Sequence, residues 1–157
     1  MRILIVGAGV AGLTLAALLK QRGITPTVIE KAPGYGHVGY MIGLYPLGSK
    51  VFHGLGCYQQ FLDQSIPTRH YEARTEKGEL LKAVSMQSIS QNYGDYQTTT
   101  RYDLLDVIAK KCDGIPIKFN TTVKQLIERD NDVEVEFSNG SKEIFDLVVG
   151  ADGLHSQ

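Results

Sequence analysis

The sequence predicts an α/β protein built around a central parallel sheet, and three observations support this fold class. A continuous apolar run at Ile3–Val6 precedes an amphipathic stretch and a second strand at Thr27–Glu30, which is a β-α-β order. Two further apolar runs, Ile115–Phe119 and Leu147–Ala151, have the composition of strands covered on both faces. We therefore predict that all four are parallel strands of one sheet. Because Leu147–Ala151 is apolar throughout, we expect it to be central.

The turn after the first strand carries glycines at the spacing GxGxxG, at Gly7, Gly9 and Gly12. Gly7 permits a tight turn, Gly9 lets the backbone approach a pyrophosphate, and Gly12 lets the helix pack against the strand. The helix that begins here offers free N–H groups and the positive end of its dipole to a phosphate. Glu30 ends the second strand, where its carboxylate can accept a hydrogen bond from a ribose 2′-hydroxyl. The pattern predicts dinucleotide binding and disfavours a 2′-phosphorylated nucleotide, but it does not separate FAD from NAD.

The other elements follow from helix caps and turn residues. Residues 32–46 contain several glycines and are expected to form a loop, and residues 87–98 are polar and carry no predicted element. A first helix follows Gly12 and is capped by Gly23, and a second runs from Pro46 to Leu55. A strand pair within Ile66–Met86 turns at Lys77-Gly78. A third helix, Arg101–Lys111, is capped by Thr99 or Thr100. A three-stranded meander follows, with strands Val123–Glu128, Val133–Phe137 and Lys142–Phe145 and turns at Asp130-Asn131 and Asn139-Gly140.

Composition narrows the class of function. The 157 residues are 43% hydrophobic and 21% charged with a net charge of −1, which is typical of one globular domain. No basic tract is present, so we expect no binding to nucleic acid or to an anionic membrane. Glycines interrupt the apolar N-terminal run, which argues against a secretory signal or a membrane span. The cysteines and histidines show no metal-ligand spacing, so we predict no metal site and a cytoplasmic location.

Four motifs resemble the N-terminal half of the FAD-dependent aromatic-ring hydroxylases, the single-component flavoprotein monooxygenases. They are "GAGVAG" with Glu30-Lys31, the loop "GYMI" at Gly39–Ile42, "TRYDLLDVI" with Arg101, and "FDLVVGADGLHS" near the C-terminus. The resemblance covers essentially the whole chain. Its last motif is the most specific, because plain NAD dehydrogenases do not share it. The implied fold is a Rossmann-like FAD/NAD(P)-binding domain with a three-stranded β-meander and part of an inserted substrate-domain sheet.

The resemblance also implies which residues bind FAD. These residues are Gly7, Gly9, Val10, Ala11, Gly12, Glu30, Lys31, Arg101, Val123, Asp152 and Gly153. By this resemblance the glycine loop meets the pyrophosphate, Glu30 the adenosine ribose, and Lys31 lies beside the adenine. Arg101 reaches the ribityl and pyrophosphate region, and Val123 touches the adenine through its backbone. The Asp152-Gly153 pair serves FAD and is linked to the use of NAD(P)H.

The implied function is part of an NAD(P)H- and O₂-dependent hydroxylation of a small apolar or aromatic molecule. We name no catalytic residue, because in such enzymes the cofactor carries the chemistry and the protein positions the reactants and excludes water. Two alternatives remain open. One is an FAD-dependent reductase or dehydrogenase of the same fold, and the other is a truncated, non-catalytic fragment that acts as a binding or assembly module.

The resemblance implies a domain organisation in which residues 1–157 form the N-terminal FAD-binding portion and about 66–99 are part of the substrate-domain insertion. The family's C-terminal half, with its second cofactor-binding motif, is absent from the sequence. We therefore expect a fragment that is inactive alone. We also expect self-association through apolar surface that the absent half would cover.

Overall fold

The computed structural model describes residues 1–36, 40–94 and 96–156. The chain divides into two compact units, Met1–Val38 with Leu105–Gln157, and Gly39–Leu104. The helices and strands in chain order are β1 (Ile3–Val6), α1 (Val10–Gln21), β2 (Thr27–Ile29), β3 (Met41–Leu44), α2 (Pro46–Gly54), α3 (Tyr58–Leu62), β4 (Ile66–Pro67), β5 (His70–Arg74), β6 (Leu80–Ser85), α4 (Gln87–Tyr93), β7 (Gln97–Thr100), α5 (Arg101–Lys111), β8 (Ile117–Lys118), β9 (Val123–Glu128), β10 (Val133–Phe137), β11 (Lys142–Phe145) and β12 (Leu147–Gly150).

The first unit is built on a four-stranded parallel sheet. Its strand order is β12-β1-β2-β8, with Ile3 opposite Leu147 and Leu4 opposite Thr27. The prediction that the four apolar runs form one parallel sheet is therefore confirmed, although β8 is limited to Ile117–Lys118. Helix α1 ends as predicted, because Gly23 has a φ of 76° and its N–H donates to the Lys20 carbonyl.

The position of β12 differs from the prediction. We expected this strand to be central, but within the described residues it lies at the edge of the sheet and pairs with β1 alone. Its apolar side chains are only partly covered. Val148 packs against the core cluster between the sheet and the meander and also lines a cleft, whereas Leu147 lines the same cleft and is 45% exposed. An apolar run can thus belong to an edge strand that is only half-buried.

The meander packs on the parallel sheet and forms a shared core. Strands β9, β10 and β11 are antiparallel, as predicted, in the order β11-β10-β9. Val135, Phe137 and Phe145 from the meander meet Leu4 and Ile29 from the parallel sheet, and all five side chains are buried. This contact fixes β9 beside the carboxyl ends of the parallel strands, where the candidate site lies.

A cysteine is part of the packing between α1 and the helix α5. Cys112 is buried, and its Sγ donates to the Leu13 carbonyl at 3.3 Å. Burial raises the pKa of the Cys112 thiol to about 11, so the neutral thiol is the form present at physiological pH. Cys57 is also buried. Both cysteines act as small apolar core residues.

The second unit contains an antiparallel sheet of order β3-β7-β4 and the hairpin β5–β6. The hairpin turns at Gly78, as predicted, and Gly78 has a φ of 84°. The prediction of a continuous loop over residues 32–46 was wrong, because Met41–Leu44 forms β3. Part of that loop and Gly39 of the "GYMI" motif lie outside the described residues. The predicted insertion at about 66–99 lies within this unit, and its assignment to a substrate domain stays a prediction.

Residues 87–98, which carried no predicted element, contain α4 and the start of β7. The polar residues Gln97 and Thr99 are buried in β7 and are satisfied by hydrogen bonds. The Ser65 hydroxyl donates to Gln97 at 3.3 Å, and the Thr99 hydroxyl donates to the Gln64 carbonyl at 2.7 Å. Because the inward side chains of β7 are polar, its sequence lacks the alternation of hydrophobic and polar residues that predicts a strand.

Candidate functional site

A cleft of about 840 Å³ extends in the first unit from the carboxyl ends of β1 and β2 along the edge strand β12, beside β9. Ligands bind in this position in open parallel α/β sheets. The cleft is lined by Val6, Gly7, Ile29, Glu30, Lys31, Thr121, Thr122, Val123, Lys124, Gln125, Leu126, Glu128, Val133, Asp146, Leu147, Val148, Gly150, Asp152 and Ser156. It therefore combines Gly7, Glu30, Lys31, Val123 and Asp152, five of the residues that the sequence assigned to the cofactor.

The loop between β1 and α1 needs glycine at two positions for steric reasons. Gly7 has a φ of 107°, and a Cβ there would lie 2.5 Å from the Ala151 carbonyl oxygen. A Cβ on Gly12 would lie 1.9 Å from the Gly7 carbonyl oxygen, so α1 can approach the loop only without a side chain there. At Gly9 a Cβ would meet nothing within 4 Å among the described residues. The backbone at Gly9 is therefore open to an approaching group.

The N-terminus of α1 is arranged to accept an anion. Gly9 is the N-cap residue, and within the described part of the chain no side chain caps this end and no acidic residue occupies the first turn. Val10 and Ala11 are exposed in that turn, and the first helical hydrogen bond runs from the Leu13 N–H to the Gly9 carbonyl. The N–H groups of the first turn and the positive end of the helix dipole are thus available to a phosphate.

Glu30 connects the loops on either side of the cleft. Its Oε2 accepts a hydrogen bond from the Ala8 N–H at 2.9 Å, and its Oε1 accepts one from the Ala32 N–H at 2.9 Å. The glutamate lies directly after β2, is half-buried and lines the cleft. Its carboxylate is therefore held in one orientation by two backbone amides from different loops.

Val123 opens β9 where this strand borders the cleft. The connection that leads to it is anchored on the end of β2, because the Thr121 N–H donates to the Glu30 carbonyl at 2.9 Å. Asn120 has a φ of 53°, and its N–H donates to the Ala32 carbonyl at 3.1 Å. The sequence prediction did not include Thr121 or Gln125, although both line the cleft and each lies two positions from Val123 in the sequence.

The Asp152-Gly153 pair follows β12 on the same side of the sheet. Asp152 is half-buried and lines the cleft, and Gly153 begins a short 3₁₀ turn with a φ of 82°. Asp146, Leu147 and Ser156 also line the cleft, and the sequence prediction missed them. Their position within the motif "FDLVVGADGLHS" was the available signal.

Arg101 begins α5 within the second unit. The start of this helix is capped as predicted, because the Thr100 hydroxyl accepts from the Asp103 N–H at 3.1 Å and donates to the Asp103 carboxylate at 2.6 Å. The assignment of Arg101 to the cofactor stays a prediction.

The part of the chain that the structure describes has neither a metal-binding cluster nor a membrane-spanning helix. No cluster of three or more histidine, cysteine, aspartate or glutamate side chains is placed to hold a metal ion there. Among the same residues, no helix has both the length and the apolar character needed to cross a membrane.

Comparison with known proteins identifies the class of site. The family described as an FAD binding domain matches residues 1–157. A 3-amino-4-hydroxybenzoate 2-monooxygenase from Streptomyces cremeus is 35% identical over 99% of this chain. The chain spans 40% of the length of that relative.

Solved structures agree with this match. Klebsiella pneumoniae HpxO, complexed with FAD and uric acid, is 28% identical, with a TM-score of 0.86 over 99% of this chain and 40% of its own. The fold is also that of a p-nitrophenol 4-monooxygenase from Pseudomonas putida DLL-E4, with a TM-score of 0.88 at 20% identity over 99% of this chain and 41% of its own. This relative and these two structures are matched over about two-fifths of their own length.

Proposed function

Because this chain belongs to the FAD binding domain family, we propose that its cleft holds the adenosine and pyrophosphate parts of FAD in a flavin-dependent monooxygenase. The single observation that carries the proposal is that the glycine loop of β1 and the Glu30 carboxylate meet in one cleft. When bound, FAD supplies the oxidation–reduction chemistry. The residues of this chain bind and orient the cofactor.

The residues present fit the pyrophosphate. Gly7 and Gly12 occupy positions where a Cβ would collide with backbone, and Gly9 leaves space for a ligand. The loop leads into the uncapped N-terminus of α1, where Val10 and Ala11 are exposed. In this proposal the first-turn N–H groups donate to the phosphate oxygens, and no side-chain charge of the loop is needed.

The residues around Glu30 fit an adenosine. An ionised carboxylate has about four acceptor positions, and backbone amides occupy two of those on Glu30. The remaining positions suit ribose hydroxyl donors and repel a 2′-phosphate. Lys31 and the backbone of Val123 border the same cleft and are proposed to contact the adenine. Asp152-Gly153 and Arg101 complete the proposed set toward the flavin.

The activity of the whole protein is a second part of the proposal. We infer NAD(P)H- and O₂-dependent hydroxylation of a small apolar or aromatic molecule. The names of the relatives support this reaction, including the aminohydroxybenzoate monooxygenase at 35% identity. The two buried cysteines, which form no disulfide with each other, support a reducing compartment such as the cytoplasm. Exposed leucines in the cleft support self-association of the isolated chain.

Binding of ADP and FAD, measured by calorimetry on wild type and on Glu30→Ala, tests the cofactor assignment. Loss of a charge-assisted hydrogen bond corresponds to about 1.5–3 kcal/mol, so affinity for both ligands should fall about tenfold or more. Glu76→Ala, which removes an exposed carboxylate from the turn between β5 and β6, is the matched control and should bind like wild type.

A 2′-phosphorylated adenosine ligand gives the complementary measurement. Wild type should bind 2′-phospho-ADP-ribose more weakly than ADP-ribose, because Glu30 repels the added phosphate, and Glu30→Ala should reduce this preference. Equal affinity of wild type and Glu30→Ala for ADP would show that the ribose lies elsewhere. Absence of any adenosine-nucleotide binding would refute the proposed function itself.

A further inference from the structure

We propose that Glu30 is also a positioning residue, which holds the ribose side of the cleft in its binding form before any ligand arrives. The inference rests on the proposed function for the location of the site, but its structural basis is independent of FAD. Glu30 joins four chain segments through its side chain and its own peptide groups. Two of these connections, to the glycine loop and to the loop after β2, are made by the carboxylate. A glutamate that acted only as a ribose ligand would leave these two loops unconnected until the ligand bound.

The side chain connects two loops. The Ala8 N–H, which donates to Oε2, belongs to the glycine loop between Gly7 and Gly9, and Ala8 is only 3% exposed. The Ala32 N–H, which donates to Oε1, belongs to the loop after β2. Without the carboxylate the Ala8 N–H would lose its acceptor in a place where water has little access. A buried unsatisfied amide is unfavourable, so the glycine loop would have to shift.

The peptide groups of Glu30 connect two more segments. Its N–H donates to the Lys118 carbonyl of β8 at 2.9 Å, and its carbonyl accepts from the Thr121 N–H at 2.9 Å. Thr121 precedes Val123, which opens β9 on the cleft. These two bonds belong to the backbone and do not depend on the side chain, so they fix the position of residue 30 beside the strand that borders the proposed adenine position.

The two hydrogen bonds of the Glu30 carboxylate predict different effects for Glu30→Gln and Glu30→Ala. Gln at position 30 keeps one carbonyl oxygen but replaces the other acceptor with an NH₂ donor. It can satisfy either the Ala8 N–H or the Ala32 N–H, but its NH₂ group would face the other amide donor to donor. The alanine side chain can accept a hydrogen bond from neither amide. Glu30→Gln should therefore disturb one of the two loops and Glu30→Ala both, whereas a general loss of stability would disturb both loops in both variants.

Amide hydrogen exchange, measured by NMR on the ligand-free 157-residue chain, tests the inference. In Glu30→Ala the exchange rates of the Ala8 and Ala32 amides should rise at least tenfold, and their proton signals should lose the downfield shift of carboxylate-bonded amides. In Glu30→Gln only one of the two amides should change to this extent. Glu128→Gln, which neutralises another carboxylate lining the same cleft, is the matched control and should leave both amides unchanged.

Unchanged exchange at Ala8 and Ala32 in both variants would overturn the inference. So would equal acceleration throughout the meander, because Glu30 would then support the fold as a whole rather than the two loops. The readout needs no cofactor, so this result is separate from the failure of the proposed function. If the amides accelerate in the variants but wild type binds no adenosine nucleotide, only the proposed function is refuted. Accelerated amides with normal ADP affinity would overturn both the ribose contact and the claim that the ordered loops are the binding form.

Discussion

Gly9 and Gly12 lie in the same loop and helix start but have different surroundings. A Cβ at Gly12 would lie 1.9 Å from the Gly7 carbonyl oxygen and 3.3 Å from the Ile5 side chain, whereas a Cβ at Gly9 would meet nothing within 4 Å among described residues. Neither residue has a positive φ. Gly12 is therefore required for the packing of the protein, whereas Gly9 leaves open space beside the backbone, as the proposed pyrophosphate contact needs.

Alanine at these positions should separate folding from binding. Gly12→Ala should lower the free energy of unfolding by about 1–3 kcal/mol, because the helix must move away from the loop. Gly9→Ala should leave the unfolding free energy close to that of wild type but weaken ADP binding. Urea titration and calorimetry on the two variants check this. Similar stability for both variants would contradict the packing described here.

The sequence predicted the residues of this loop well, because the glycine spacing reflects local sterics that depend on few neighbours. It could not predict the hydrogen bonds of Glu30 with Ala8 and Ala32, since these depend on how two loops approach each other in the folded chain. The same reason explains why Thr121 was missed. Its role arises from a backbone contact with β2 and not from its side-chain type.

At the scale of elements, the outer face of the meander carries a network of ion pairs. Lys124 pairs with Glu136, and Lys142 lies 3.2 Å from Glu134 and 3.6 Å from Glu136. The hydrogen bond from Lys124 lowers the pKa of the Glu136 carboxyl from its ordinary value. The ionised form is therefore favoured by folding, and the network links all three strands of the meander.

Glu136→Gln should make the stability of the protein less dependent on pH. Because the pKa of Glu136 is lower in the folded than in the unfolded chain, its contribution is present above the unfolded value of about 4.3. That contribution is lost as the pH falls through the folded pKa. Thermal unfolding should thus show a small loss of stability in the variant at neutral pH, with no difference from wild type at strongly acidic pH. The Glu128→Gln control on β9 should follow wild type, and a constant difference at all pH values would contradict the assignment.

Element prediction succeeded where hydrophobic periodicity and turn residues agree, as in the meander and in helix α1. It failed for β7, where the buried residues Gln97 and Thr99 are polar and satisfied by hydrogen bonds. The edge position of β12 was missed for the opposite reason. Its apolar residues suggested cover on both faces, but the strand is only half-buried, and Leu147 and Val148 both line the cleft.

At the scale of the whole molecule, the cleft exposes apolar surface. Leu126 on β9 and Leu147 on β12 are 51% and 45% exposed and line the same cleft. Sedimentation velocity of the purified chain should show association that increases with concentration, because burial of such side chains is favourable. The double variant Leu126→Lys, Leu147→Lys should be more monomeric than wild type. Leu47→Lys, at an exposed leucine of α2, is the control, and a monomeric wild type would refute the prediction.

The pairing of β1 with β12 has a consequence for how the chain folds during synthesis. Arg2 donates its backbone N–H to the Asp146 carboxylate, a contact that spans 144 positions of the sequence, and Ile3 lies opposite Leu147. Contacts between such distant residues close a large loop, which slows folding because much chain entropy is lost before the contact forms. During synthesis β1 must therefore wait for β12 before it gains its second neighbour. Until then one edge of β1 is available to chaperones or to other nascent chains.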